Sequence, residues 1–160
     1  MDLLQGKCLL NKIKKLIPAE DAMRNKTIII FFFGAMWCKS PDCKVILQKL
    51  KELHKENLRR NMGLEVIYVS SDTSLEDFDT FYKTHGGWFA VPFQDDLAEL
   101  VVRYSLNTRK VSFSRQLRRV FGITNVPNLI VVKKNGEIIT KAGRQEIVEK
   151  GLNVLVTWTD

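Results

Sequence analysis

The chain predicts an α/β fold, a central mixed sheet covered by helices on both faces. Three observations carry this. The run Thr27-Ile28-Ile29-Ile30-Phe31-Phe32-Phe33 is continuous, β-branched and aromatic, which suits a strand buried on both sides. Strand-like and helix-like segments alternate after it, the pattern of parallel strands joined by right-handed helical crossovers. Near the far end, Asn135-Gly136 separates two apolar runs, a hairpin signal that adds antiparallel strands. At 160 residues the chain has the length of one domain with a full hydrophobic core, spanning 1–160.

Each element has its own justification. Lys7 to Leu10 reads as a short first strand, followed by a basic connection from Asn11 to Lys15. Pro18 at a first helical position, with Glu20 and Asp21 in the first turn, predicts a short helix. After the buried run the chain turns at Gly34. A helix then opens at Ser40-Pro41, serine as cap and proline as first residue. Cys43, Ile46, Leu47, Leu50, Leu53 and His54 form its apolar stripe. Leu64 to Val69 reads as a second core strand, and Leu75, Phe78, Phe81 and Tyr82 mark a helix over Ser74 to Lys83. Leu129 to Val132 is a strand expected to run antiparallel to Ile28–Phe33, and Glu137 to Thr140 completes the hairpin. A last helical pattern runs from Ile147 towards Trp158, with Gly151 as a weak point.

Composition narrows the class. Apolar residues make up 45% and charged residues 27%, ordinary values for a globular protein. Three cysteines are too few for a disulfide framework. The first residues lack a basic region followed by a long apolar one, so no signal peptide is expected. The longest apolar run is far short of a membrane span. A reducing intracellular compartment is expected.

The net charge of +7 is unevenly spread. Between Glu99 and Glu137 eight basic residues occur with no acid, while the other 17 face all 18 acids. No helix-turn-helix, zinc-finger or RNA-binding pattern accompanies them, so a solvated face is the plainer reading than a nucleic-acid site. His54 and His85 are isolated and no Cys/His set has zinc spacing, so no metal is expected. Cys8 reads as a small core residue and Trp88 as core.

The chemistry sits at Met36-Trp37-Cys38-Lys39-Ser40-Pro41-Asp42-Cys43. A cysteine on the loop before a helix N-terminus has its thiolate stabilised by the helix dipole; Lys39 adds to that and Asp42 opposes it. Cys43 is less determined. Two cysteines five apart on one regular helix would point about 140° apart, with Cα atoms beyond the roughly 7 Å that a disulfide spans. With Ser40 as cap, Cys38 falls on the loop and pairing becomes feasible. Cys43 also continues the apolar stripe, which favours an unpaired core cysteine.

Several stretches together carry a resemblance. The element order, the Trp37-Cys38 junction and Val126-Pro127 before the hairpin resemble the thioredoxin fold. Phe32-Phe33-Gly34-Ala35, Val66-Ile67-Tyr68-Val69-Ser70-Ser71-Asp72 and Gly87-Trp88-Phe89-Ala90-Val91-Pro92-Phe93-Gln94-Asp95 narrow it to the tryparedoxin and nucleoredoxin branch. Gly6-Lys7-Cys8-Leu9-Leu10 and the Lys134–Thr140 hairpin are similar to the short nucleoredoxin-like proteins. The resemblance implies a thiol–disulfide oxidoreductase acting on protein disulfides, recycled by an external thiol reductant. The alternative it implies is a non-catalytic binding module in redox signalling or sensory-cell maintenance. Cys38 would be the attacking thiol, Cys43 an atypical resolving partner, Pro127 the cis-proline, and Trp37 and Val126 substrate contacts. No cofactor is implied, nucleic acid and membrane partners are not expected, and the location would be cytoplasmic and also nuclear.

Two features depart from the branch pattern. Active members carry Trp-Cys-x-x-Cys, whereas Pro41 stands where the second cysteine would fall. About fourteen residues are also inserted between Pro92-Phe93 and Phe121-Gly122, a basic insertion around 103–119. Within it Leu100–Leu106 loosely resembles Leu117–Ile123, and Ser105–Ser114 is expected to be a polar surface segment. Phe32 also stands where many thioredoxins have a buried aspartate. A base for the second thiol is then missing, and weak turnover is expected.

Overall fold

The computed structural model describes residues 3–93 and 112–159. The described strands form a seven-stranded mixed sheet, in the order β2-β1-β5-β4-β3-β6-β7. Its centre is β3 (Ile28–Gly34), every residue of which is buried. It pairs in parallel with β4 (Leu64–Ser70), Ile28 opposite Leu64, and antiparallel with β6 (Asn128–Lys133), Phe33 opposite Asn128. The expected antiparallel partner of the buried run is therefore present. The hairpin at Asn135-Gly136 brings back β7 (Ile138–Thr140) as one edge.

The period of two along β3 divides the core. Ile28, Ile30 and Phe32 face α2 (Pro41–Arg60), α3 (Leu75–Tyr82) and the two C-terminal helices. Ile29, Phe31 and Phe33 face α1 (Ala19–Ala22) and α4 (Phe113–Phe121), where Phe121 lies 5.4 Å from Phe31 ring to ring. Apolar side chains on both faces are why the run shows no alternation. The C-terminal helical pattern divides where expected. Helix α5 (Gly143–Lys150) ends at Gly151, whose φ of +57° and ψ of −133° suit glycine, and a 3₁₀ turn leads into α6 (Val154–Thr159).

Several readings need correction. Pro18 ends a strand, β2 (Leu16–Pro18), and caps α1 from outside the helix. This strand pairs with β1 (Cys8–Leu10), and β5 (Phe89–Ala90) joins β1 to the sheet. The expected first strand is present as β1, whereas the three-residue β2 and two-residue β5 leave too little pattern to read. Cys8 is exposed, because Leu9 takes the inward position of β1 and its neighbours point away. Leu75 is likewise exposed, at the first position of α3. His54 is not isolated: its Nε2 lies 3.1 Å from the buried Glu65 carboxylate, with Lys26 beyond at 3.8 Å. His85 sits among Phe32, Tyr68, Phe81, Tyr82 and the fully buried Trp88.

The charged region is only partly described. Residues 103–111, with Arg109 and Lys110, and the repeat at Leu100–Leu106 lie outside the described residues. Ser112, expected on a surface segment, is buried and caps α4, its Oγ accepting from the Arg115 N–H at 3.3 Å.

Candidate active site

The C-terminal ends of β3 and β4 open onto the loop from Ala35 to Ser40. Cys38 lies on this loop, its N–H donating to Ala35 O at 3.2 Å. Ser40 caps α2, its Oγ accepting from the Asp42 N–H, and Pro41 is the first helical residue. Cys38 therefore stays off the helix, half-buried at the end of its dipole. Cys43 lies in the first helical turn and is 8% exposed. The two cysteines are joined as a disulfide with Cα atoms 6.4 Å apart. Cys43 is thus buried as the stripe indicates, but it is not unpaired. The cap at Ser40 takes the chain out of helical geometry between Cys38 and Cys43, and that brings the pair within reach.

The other expected residues gather around this pair. The Val126–Pro127 peptide is cis. The Val126 carbonyl oxygen is 3.9 Å from Cys38 Sγ, a contact that only the reduced thiol can convert into a hydrogen bond. Pro127 is buried, and Val126 is partly exposed. The Trp37 indole N–H reaches the Ser71 carbonyl at 3.4 Å, so the ring lies over the end of β4 with half its surface open. Met36 beside it is also exposed.

Two residues that sequence reasoning left out hold this arrangement. Asp72, 8% exposed, follows β4 by two residues. Its carboxylate accepts from the Met36 N–H at 2.8 Å, Ser70 Oγ at 2.9 Å and Tyr68 Oη at 3.3 Å. Arg118 of the basic α4 adds to this side, donating to the Ser70 carbonyl at 2.9 Å. On the opposite side Arg144 of α5 donates to Asp42 Oδ2 at 2.6 Å and to the Pro127 carbonyl at 3.1 Å. The signal for Asp72 is an acid just past a largely apolar core strand. For Arg144 no local signal exists, since its partner Asp42 is 102 residues away.

A thiol at the positive end of a helix, beside an exposed backbone carbonyl and a second cysteine, can exchange with a disulfide. Among the described residues no group of His, Cys, Asp and Glu could hold a metal ion, and no helix is long and apolar enough to cross a membrane.

Comparison with known proteins bears on this site. The family described as Thioredoxin-like matches residues 25–138. Nucleoredoxin from Xenopus laevis is 30% identical over 129 residues, which cover 81% of this chain and 27% of that one. Nucleoredoxin-like protein 1 from Homo sapiens is 28% identical, over 83% of this chain and 57% of that one. The chain thus spans about a quarter of the nucleoredoxin and just over half of the nucleoredoxin-like protein. Tryparedoxin I from Leishmania major superposes with a TM-score of 0.73 at 21% identity, over 98% of this chain and 94% of that one.

Proposed function

Because the chain belongs to the thioredoxin-like family, on its nucleoredoxin and tryparedoxin branch, we propose that it exchanges protein disulfides through Cys38 and Cys43. The Cys38 thiolate attacks one sulfur of a substrate disulfide, forming a mixed disulfide and releasing one substrate thiolate. Cys43 then attacks the Cys38 sulfur, releasing the second substrate thiolate and closing Cys38–Cys43. The substrate gains two electrons and the cysteine pair loses them. An external thiol reductant restores the dithiol.

One observation carries the reading: the two cysteines pair although four residues separate them and proline stands between. Exposed Trp37 and Met36, with the Val126 carbonyl, offer an extended polypeptide an apolar face and a backbone acceptor beside the thiol. Turnover is slow in this proposal. Cys43 is buried, and Phe32 supplies no base where a carboxylate would otherwise serve.

Differential alkylation with mass spectrometry across a graded redox buffer tests the pairing. Cys38 and Cys43 should become protected together, with Cys8 remaining open. Cys38→Ser should abolish insulin-disulfide reduction, while Cys43→Ser should still trap a mixed disulfide. A second reading, a non-catalytic redox-linked binding module, is favoured by the burial of Cys43. It predicts partner binding that survives Cys38→Ser together with no multiple-turnover reduction by the native chain.

A further inference from the structure

We infer that Arg144 is a positioning residue of the redox centre, compensating the carboxylate of Asp42 so that Cys38 can carry its charge. The inference rests on the thiol chemistry proposed above and assigns a device that sets it.

The geometry comes first. Two nitrogens of one guanidinium join three elements across the disulfide. Nη2 holds Asp42 in the first turn of α2, one residue from Cys43, and Nη1 holds the Pro127 carbonyl next to Val126. The disulfide joins only Cys38 and Cys43, both on the α2 side of this gap. Once it is reduced, Arg144 still ties the α2 N-terminus to the proline loop. Gly143 makes the reach possible. A Cβ there would lie 2.8 Å from Leu129 Cβ and 2.9 Å from the Leu129 carbonyl, so only glycine lets α5 begin directly against β6. Arg144 is thereby carried to the proline loop.

Asp42 sits at the end of the helix where a thiolate must form, and an unpaired anion there disfavours that thiolate. Paired to Arg144, its field is largely cancelled. The ion pair is partly exposed, 33% for Arg144 and 56% for Asp42, so its contribution to stability is small. Its position beside the cysteines gives it an effect on chemistry that its effect on folding would not suggest.

The test is the pH dependence of iodoacetamide alkylation of Cys38 in the reduced full chain, with exposed Cys8 as internal reference. Arg144→Gln should raise the midpoint by roughly half a pH unit, about a threefold slower reaction below it, the size expected of a partly screened charge. Arg144→Lys should recover much of this shift. The double variant Asp42→Asn/Arg144→Gln should return close to the native midpoint, because both members of the pair are then neutral. An unmoved midpoint in Arg144→Gln, or a double variant whose midpoint stays as far above the native value as that of Arg144→Gln, overturns the inference while leaving Cys38 as the attacking thiol. Cys38 reacting no faster than Cys8 at any pH overturns both. Should Arg144→Gln fail to fold, Asp42→Asn alone decides the matter. It leaves the guanidinium uncompensated and should lower the midpoint by a similar amount; no change overturns the inference.

Discussion

The two sides of the Cys38 loop are each held by an aspartate, and the two work differently. Asp72 is buried, and its carboxylate accepts from the Met36 N–H and from the buried Ser70 and Tyr68 hydroxyls. Asp42 is open to solvent and meets a single arginine. Burial makes the first a structural anchor, since removing it strands several donors at once. Exposure leaves the second little influence on folding, because water screens the pair and the long arginine loses rotamer freedom to make it. One acid therefore sets where the loop is, and the other bears on how readily its thiol ionises.

The largest effect expected from this contrast is on the buried side. Asp72→Ala should destabilise the fold by about 3 kcal/mol, the scale of a broken buried network, with a matching fall in denaturant midpoint. Asp72→Asn, which keeps an acceptor for the Met36 N–H, should recover part of that loss. Equal effects of the two substitutions would show that charge, and not hydrogen bonding, holds the loop.

The buried side should also respond to acid. His85 is held neutral down to about pH 3, first by burial and then by the charge of Lys51. Its Nδ1 accepts from the Trp88 indole N–H at 3.1 Å, and protonation there would break that bond. The folded value lies below the ordinary histidine value of 6.5, so between the two the unfolded chain binds the extra proton. The stabilisation is fully present above pH 6.5 and is lost as pH falls towards 3. From pH 7 to pH 5 this linkage removes about 2 kcal/mol. Melting curves at the two pH values, compared with His85→Asn, should show the variant to be the less acid-sensitive.

On the exposed side the stability effects shrink. Asp42→Asn and Arg144→Gln should each change unfolding free energy by less than about 1 kcal/mol. A larger loss would mean that the proline loop depends on Arg144 for its fold. The smallest effect belongs to the basic segment. Neutralising Arg109, Lys110 and Arg115 together should slow association with an acidic protein at low salt and do little at high salt, as screening over about 8 Å requires. Unchanged association at both salts would leave these charges as solvated surface.

What the sequence determined by itself was whatever depends on neighbouring residues. Six large apolar residues in a row, Ile28 to Phe33, specified β3, because no other placement hides both faces of such a strand. Ser40-Pro41 specified where α2 starts, through a hydroxyl that satisfies a helix N–H and a ring that needs no donor. Asn135-Gly136 specified the hairpin. That Cys38 precedes the helix followed from the same cap.

Tertiary structure decided what depends on residues brought together from afar. Whether Cys43 pairs with Cys38 turned on the path of the four residues between them, and the apolar stripe alone argued for an unpaired thiol. Cys8 faces outward because Leu9 takes the inward position of a three-residue strand, too short to leave a pattern. Asp72 and Arg144 look like ordinary surface charges when read along the chain. The first is an anchor because β4 ends beneath the Met36 amide. The second is a clamp because Gly143 lets a helix close on β6, setting a guanidinium beside a carboxylate 102 residues away. Local chemistry fixes elements within a few residues, but hydrogen bonds and charges act through space, and only the folded chain supplies those distances.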